Sequence, residues 1–237
     1  DMVHRIIYLI FNEGYKSTSG NEVINEDLCF EASRLAVLVS SIEGNHQPET
    51  YALLALIYFS MARFPSRLNA DGEMIELELQ DRTKWDKNLI QAATAFLAKS
   101  RNTGTITSYH LEATISSIHC MAESFESTDW ESITVCYDKL LELEDNPVIR
   151  INRAIAISKW KGPELGAKQL DKIENIISKP IKQLFYAAKA AMFFQEKKYE
   201  MAKTYYQVAM DHSKHEMDKK FLAKKIQLCN TNNIGLN

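Results

Sequence analysis

Ala190-Ala191-Met192-Phe193-Phe194-Gln195-Glu196-Lys197-Lys198-Tyr199-Glu200-Met201-Ala202-Lys203-Thr204-Tyr205-Tyr206-Gln207-Val208-Ala209 is the stretch on which the fold turns. Ala202, Tyr206 and Ala209 form a small, aromatic, small trio at helical spacing on the second helix of the last hairpin, with Ala190, Phe193 and Tyr199 upstream. Small residues let two helices approach, and the ring fills the groove toward the next hairpin.

The spacing is the one tetratricopeptide repeats use. One repeat length upstream stand Gly166, Leu170 and Ile173, and one further upstream Ile133, Tyr137 and Leu140, with Pro147 and Pro180 at hairpin junctions. This register predicts an all-α fold: a tetratricopeptide-like stack of antiparallel helical hairpins, an α-solenoid. Composition agrees. Only 8 Gly and 5 Pro occur in 237 residues, too few for the turns of a many-stranded sheet protein.

Working outward, the last helix is expected over His215 to Cys229 as a cap. Its apolar stripe of Met217, Phe221, Leu222 and Ile226 lies opposite Lys219, Lys220, Lys224 and Lys225. Residues 230–237 are expected to fray. Toward the N-terminus, Pro147 starts a helix over Val148 to Trp160 and Asp129 caps the one before it. Thr107 to Ala122 and Trp85 to Lys99 read as helices, the latter closed by Asn102-Thr103-Gly104. Leu28, Ala32, Leu35, Ala36, Val39 and Ile42 form the stripe of a helix that begins at Asn25-Glu26-Asp27. It pairs with a helix after Pro48 in a hairpin that Pro65 ends. Val3 to Asn12 is helical, and Gly14 is expected to stop it in a left-handed cap. The boundaries expected are 1–106 for the N-terminal hairpins, 107–229 for the repeats and cap, and 230–237 for the tail, in one continuous domain. The chain opens at Asp1, without an initiator Met and inside an amphipathic pattern, so further sequence is expected before it.

One polar insertion interrupts the helices over residues 63–86. Its core, Asp71-Gly72-Glu73-Met74-Ile75-Glu76-Leu77-Glu78-Leu79-Gln80-Asp81-Arg82-Thr83-Lys84-Trp85-Asp86, crowds carboxylates, an amide, a guanidinium and an indole into one connection, and connections carry function more often than packed helices do. Two readings stand. In one, the loop is a binding surface; in the other it is a clasp, with Arg82 paired to Asp81, Glu78 or Glu73 and Trp85 anchoring the following helix. Glu73 and Asp81 as acid and base lack a nucleophile, a ligand set or a phosphate loop beside them, so an enzyme is not expected.

Asn12, Glu13 and Tyr15 either line a groove with that loop or form a helix-ending corner. Asn152 and Arg153 line a concave peptide-binding face or, the favoured reading, hydrogen-bond between adjacent hairpins. His212 and His215 lack a third convergent ligand, so neither a metal nor another cofactor is expected. His119 reads as a core histidine. A net charge of -3 gives no footprint for direct nucleic-acid binding. No apolar run reaches the roughly 20 residues of a membrane span. Four scattered cysteines without a Cys-x-x-Cys pair predict buried thiols in the cytoplasm.

Four blocks together resemble the C-terminal extension of one group of extracytoplasmic-function sigma factors: Tyr8-Leu9-Ile10-Phe11-Asn12-Glu13-Gly14-Tyr15, the Asp71 to Asp86 block, Asp129-Trp130, and Pro147-Val148-Ile149-Arg150-Ile151-Asn152-Arg153-Ala154. Glu76, Leu79 and Thr107-Ser108-Tyr109 depart from that pattern. The resemblance implies a tetratricopeptide-like domain that follows two sigma regions absent here. It also implies regulation of sigma activity, as an extension or as a separate negative effector, with sigma regions or RNA polymerase as partners. An alternative is a small-molecule sensor with its ligand between the first hairpins and the 71–86 loop.

Overall fold

The computed structural model describes residues 2–16, 23–42, 47–101 and 104–234. Eleven α-helices run through them: α1 (Met2–Tyr15), α2 (Glu26–Ser40), α3 (Gln47–Met61), α4 (Lys87–Ser100), α5 (Ser108–Met121), α6 (Trp130–Leu143), α7 (Pro147–Lys161), α8 (Pro163–Asp171), α9 (Lys182–Gln195), α10 (Tyr199–Asp211) and α11 (Glu216–Ile234). Most pack mainly on their neighbours in sequence, as in a helical-repeat arrangement, while α5 packs mainly on α3. The chain divides into two compact units, Asp1–Asp129 and Trp130–Asn237.

In the first unit everything converges on α3. A surface helix carries one apolar stripe, whereas a helix apolar on all sides is a buried one. Here Ala52, Leu53, Leu54, Ala55, Leu56, Ile57, Phe59 and Met61 are all buried. Helices α2, α4 and α5 pack around α3, with a smaller contribution from α1. Helices α2 and α3 are neighbours as the sequence predicts, yet α3 leans most on α4 and α5. Helix α5 therefore belongs to this unit rather than to the repeats.

Local signals set the helix starts. Asn25 Oδ1 accepts from the Leu28 amide, Asp86 Oδ1 from those of Asn88 and Leu89, and Asn146 Oδ1 from that of Val148. Asp86 is thus the cap of α4, and Trp85 stands outside the helix that the sequence assigned it to. Gly14 is likewise not a left-handed cap but a helical residue of α1. A Cβ there would lie 2.8 Å from both the Asn25 carbonyl and Cys29 Sγ, so the glycine is what lets α1 meet the start of α2.

In the second unit α6 to α11 pack in sequence, and α7 also touches α9. The small positions perform as the register requires. A Cβ on Gly166 would fall 2.5 Å from Ser158 Cβ, so α7 and α8 cross at glycine contact. Ile133, Leu140, Leu170, Ile173, Ala202, Tyr206 and Ala209 are all buried. Helix α11 continues past Cys229 to Ile234, which corrects the expected fraying for residues 230–234. The side chains of Asn232 and Asn233 donate to Leu228 O and Glu200 Oε1 and hold the last turn. Residues 235–237, and the Asn102-Thr103 helix stop, lie outside the described residues.

Candidate functional site

The insertion folds into a succession of short turns. After α3, Phe64–Ser66 form one 3-10 turn. Residues 67–75 then double back as a small antiparallel hairpin, with Ile75 N donating to Arg67 O at 2.7 Å and Asn69 N to Glu73 O at 2.9 Å. Asn69 organises its tip: Oδ1 accepts from the amides of Asp71 and Glu73, and Nδ2 donates to Glu73 Oε2. Asp81 is engaged separately, accepting from the amide and hydroxyl of Thr83 with a single oxygen. Glu73 and Asp81 therefore each serve a different turn.

Two buried side chains fasten these turns. Trp85 is 3% exposed and its Nε1 donates to Ser66 Oγ at 2.7 Å. Gln80 is buried, with Nε2 donating to Ile75 O. Arg82 does not pair with Asp81, Glu78 or Glu73, as the clasp reading expected. Its Nη1 donates to the carbonyls of His119 and Ala122 at the end of α5, and its guanidinium lies over the Trp85 indole, 4.7 Å from the ring centre. Glu73 is engaged by Asn69 and Asp81 by Thr83, whereas a helix C-terminus offers the half-buried guanidinium carbonyls that have no partner within the helix.

Of the α1 corner, Tyr15 joins the loop. Arg63 Nη2 donates to its hydroxyl, Arg67 Nη1 donates to its carbonyl, and the Arg67 guanidinium stacks 3.6 Å from its ring centre. Asn12 is exposed and its side chain donates instead to Tyr8, whose hydroxyl donates to Glu112 on α5. Glu13 is half-buried in the last turn of α1. A cavity of about 480 Å³ opens beside the hairpin tip, lined by Val23, Asn25, Glu26, Asp27, Leu68 and Gly72. Asn152 and Arg153 belong to the second unit, where both are half-buried on α7 and Arg153 pairs with Asp138 of α6.

The residues that sequence reasoning missed are Arg63, Arg67, Ser66 and Cys120, while His119 is buried, as a core histidine is. Nothing in their spacing marks them, since α5 and the loop meet only in three dimensions. Arg67 is 4% exposed, and among the described residues Arg63, Arg67 and Arg82 donate to neutral carbonyls and a phenol. Burial and the nearby charge of Arg63 lower the pKa of both Arg67 and Arg82. Burial, then Arg63 and Arg82, push the His119 imidazole down to about 4. Burial lifts the Cys120 thiol to about 11 and the Cys29 thiol to about 12, so neither is an activated nucleophile. The four thiols form no disulfide.

Elsewhere in the first unit, buried His4 meets Thr50 Oγ1 at 2.7 Å and Glu49 at 3.1 Å. The order Thr, His, Glu is that of a catalytic relay, but the Thr50 side chain is sealed in the core and ties α1 to α3. In the second unit Lys189 is buried and paired with Asp171 and Glu174. Phe193, Tyr205, Tyr186 and His212 form a near-parallel stack beside it. Among the described residues no three His, Cys, Asp or Glu side chains converge as metal ligands, and no helix is long and apolar enough to cross a membrane.

Residues 1–101 match a family of unknown function, DUF6596. An uncharacterized protein of Rhizobium meliloti (strain 1021) is 37% identical over 176 residues, which are 74% of this chain and 41% of that protein. The chain thus aligns with less than half the length of this relative. No solved structure matches it.

Proposed function

We propose that this chain is a non-enzymatic regulatory domain that binds protein and modulates an extracytoplasmic-function sigma factor or its contact with RNA polymerase, as a C-terminal extension or as a separate negative effector. In this reading it works in the cytoplasm and touches no nucleic acid directly. The sigma-factor part is supported by the four ordered sequence blocks, and the tetratricopeptide part by the glycine-tight crossing of α7 and α8 and the buried repeat positions. The loop acts as a clasp that holds α1, α3 and α5 in the arrangement a partner meets.

The observation that carries protein binding is the outer face of α1. Met2, Val3, Ile6 and Leu9 stand on one side of that helix, Ile6 at 51% and Leu9 at 60% exposure, while His4, Ile7, Phe11 and Gly14 face the core. Helix α2, packed against α1, exposes Phe30, Val37 and Leu38. Single exposed apolar side chains need no explanation, but a helical stripe of them marks an interaction surface.

The test is transcription in vitro by core polymerase and the cognate sigma factor, with and without the purified domain, alongside a pull-down with sigma regions. The domain is expected to change transcript yield and to bind, and I6D/L9D to do neither while keeping wild-type helicity. If the wild-type domain neither binds nor alters transcription, the reading fails.

A further inference from the structure

Three positive charges gather beneath the insertion, and among the described residues their hydrogen bonds go to neutral acceptors. Arg82 is held on one edge by the end of α5, Arg67 by the last carbonyl of α1, and Arg63 follows the last turn of α3. Helix C-termini attract cations, and that accounts for part of the arrangement. Each end carries about half a negative charge, so three of them supply roughly -1.5 against three full positive charges. The hydrogen bonds of these groups go to the carbonyls of Tyr15, His119 and Ala122 and to the Tyr15 hydroxyl, and Glu126 attracts Arg82.

Hydrogen bonding leaves the same deficit. Arg82 Nη2 and Arg63 Nε are buried and have no acceptor among the described residues. A buried donor without a partner costs about 1–3 kcal/mol, and more when it carries charge. Native proteins rarely leave two such donors close together unless something fills the place. Ser66 donates to the Arg63 carbonyl and accepts from the Trp85 indole, over which the Arg82 guanidinium lies, so the two unmet donors stand beneath the same loop.

We propose that Arg63 and Arg82, backed by the charge of Arg67, form a binding site for a small oxyanion of the phosphate class beneath the 63–86 loop. Two guanidinium forks and a third charge suit a doubly charged tetrahedral anion better than a single carboxylate. Arg82 is only half-buried, so the anion reaches the locus from the solvent side of its guanidinium. Bound there, it accepts from Arg82 Nη2 and Arg63 Nε and offsets the repulsion between the two charges. It also restores basicity to His119, which those charges suppress. The site does not rest on the sigma-factor reading, and it gives the small-molecule sensor reading a defined ligand class.

The experiment is calorimetric titration of the whole chain with inorganic phosphate, at constant ionic strength held with sodium chloride, with acetate as the carboxylate arm. Saturable phosphate binding is expected at one site, weakened at least tenfold in R82Q. In parallel, the His119 ring resonances are expected to titrate near pH 4 without phosphate and at higher pH with it. If R82Q does not fold, R82K carries the same expectation, since an ammonium keeps the charge but loses the fork. The absence of saturable binding above the chloride background overturns the proposal. So does binding that the folded variant leaves unchanged, and so does acetate binding more tightly than phosphate.

Discussion

The indole of Trp85 donates to the hydroxyl of Ser66 at 2.7 Å, joining the two ends of the insertion through a buried hydrogen bond. Ser66 Oγ donates in turn to Arg63 O, and the backbone of Asp86 donates to Ala62 O, so the loop begins and ends at one point. Trp85→Phe keeps most of the apolar volume and leaves the serine without its donor. It is expected to cost about 1–3 kcal/mol, read as a lower urea midpoint with an unchanged slope.

Gly14→Ala places a methyl group 2.8 Å from Asn25 O and Cys29 Sγ, where the ends of two helices have no slack. Overpacking of this kind costs roughly 1–3 kcal/mol. Gly104→Ala is the control, because a Cβ there meets nothing within 4 Å. Thermal melts of the two variants are expected to separate by several degrees, with Gly104→Ala close to wild type.

His119 makes stability depend on pH with a defined sign. Its imidazole is held down to about 4 in the folded chain, against an ordinary value of 6.5. Between these values the unfolded chain takes up a proton that the folded chain refuses, so the stabilisation is complete above about pH 6.5 and declines as pH falls toward 4. The loss is expected to reach about 2–3 kcal/mol at the acid end of that window. His119→Gln is expected to flatten this part of the profile, as measured by urea unfolding at successive pH values. Equal slopes in wild type and variant would refute it.

Lys189 is buried between two carboxylates that are themselves partly exposed. Burial disfavours its charge, but the hydrogen bonds to Asp171 and Glu174 outweigh that and raise its pKa. Either carboxylate alone still neutralises the ammonium, so Asp171→Asn and Glu174→Gln are each expected to cost less than about 1 kcal/mol. The double variant leaves a buried charge without an opposite, and a cost of about 3–5 kcal/mol follows. A double-mutant cycle in denaturant is expected to show this excess over the sum of the single variants. Additive costs would mean that Lys189 is solvated well enough without them.

The helices were legible because each is decided locally. Asn25, Asp86 and Asn146 are caps whose side chains reach only two or three residues, and Gly166, Leu170, Ala202, Tyr206 and Ala209 mark one face by spacing alone. Trp85 was legible as an anchor, since a lone indole in a polar segment needs somewhere to bury its ring and a partner for its N–H. Arg82 was misassigned for the complementary reason. Its nearest charges in sequence are carboxylates, but its acceptors are carbonyls 37 and 40 residues away.

By itself, then, the sequence determined an all-helical chain, the inward faces of its helices, starts such as those of α2 and α7, and a polar insertion fastened by a tryptophan, because propensity, capping and periodicity act over a few residues. Only the tertiary structure decided that α3 is a central helix rather than half of a hairpin. It alone set Gly14 as a point of helix contact, and it alone gathered Arg63, Arg67 and Arg82 at the ends of α1, α3 and α5 with two donors unmet. Burial and charge compensation are properties of the assembled unit, and no window of sequence contains the helix ends, the arginines and His119 together.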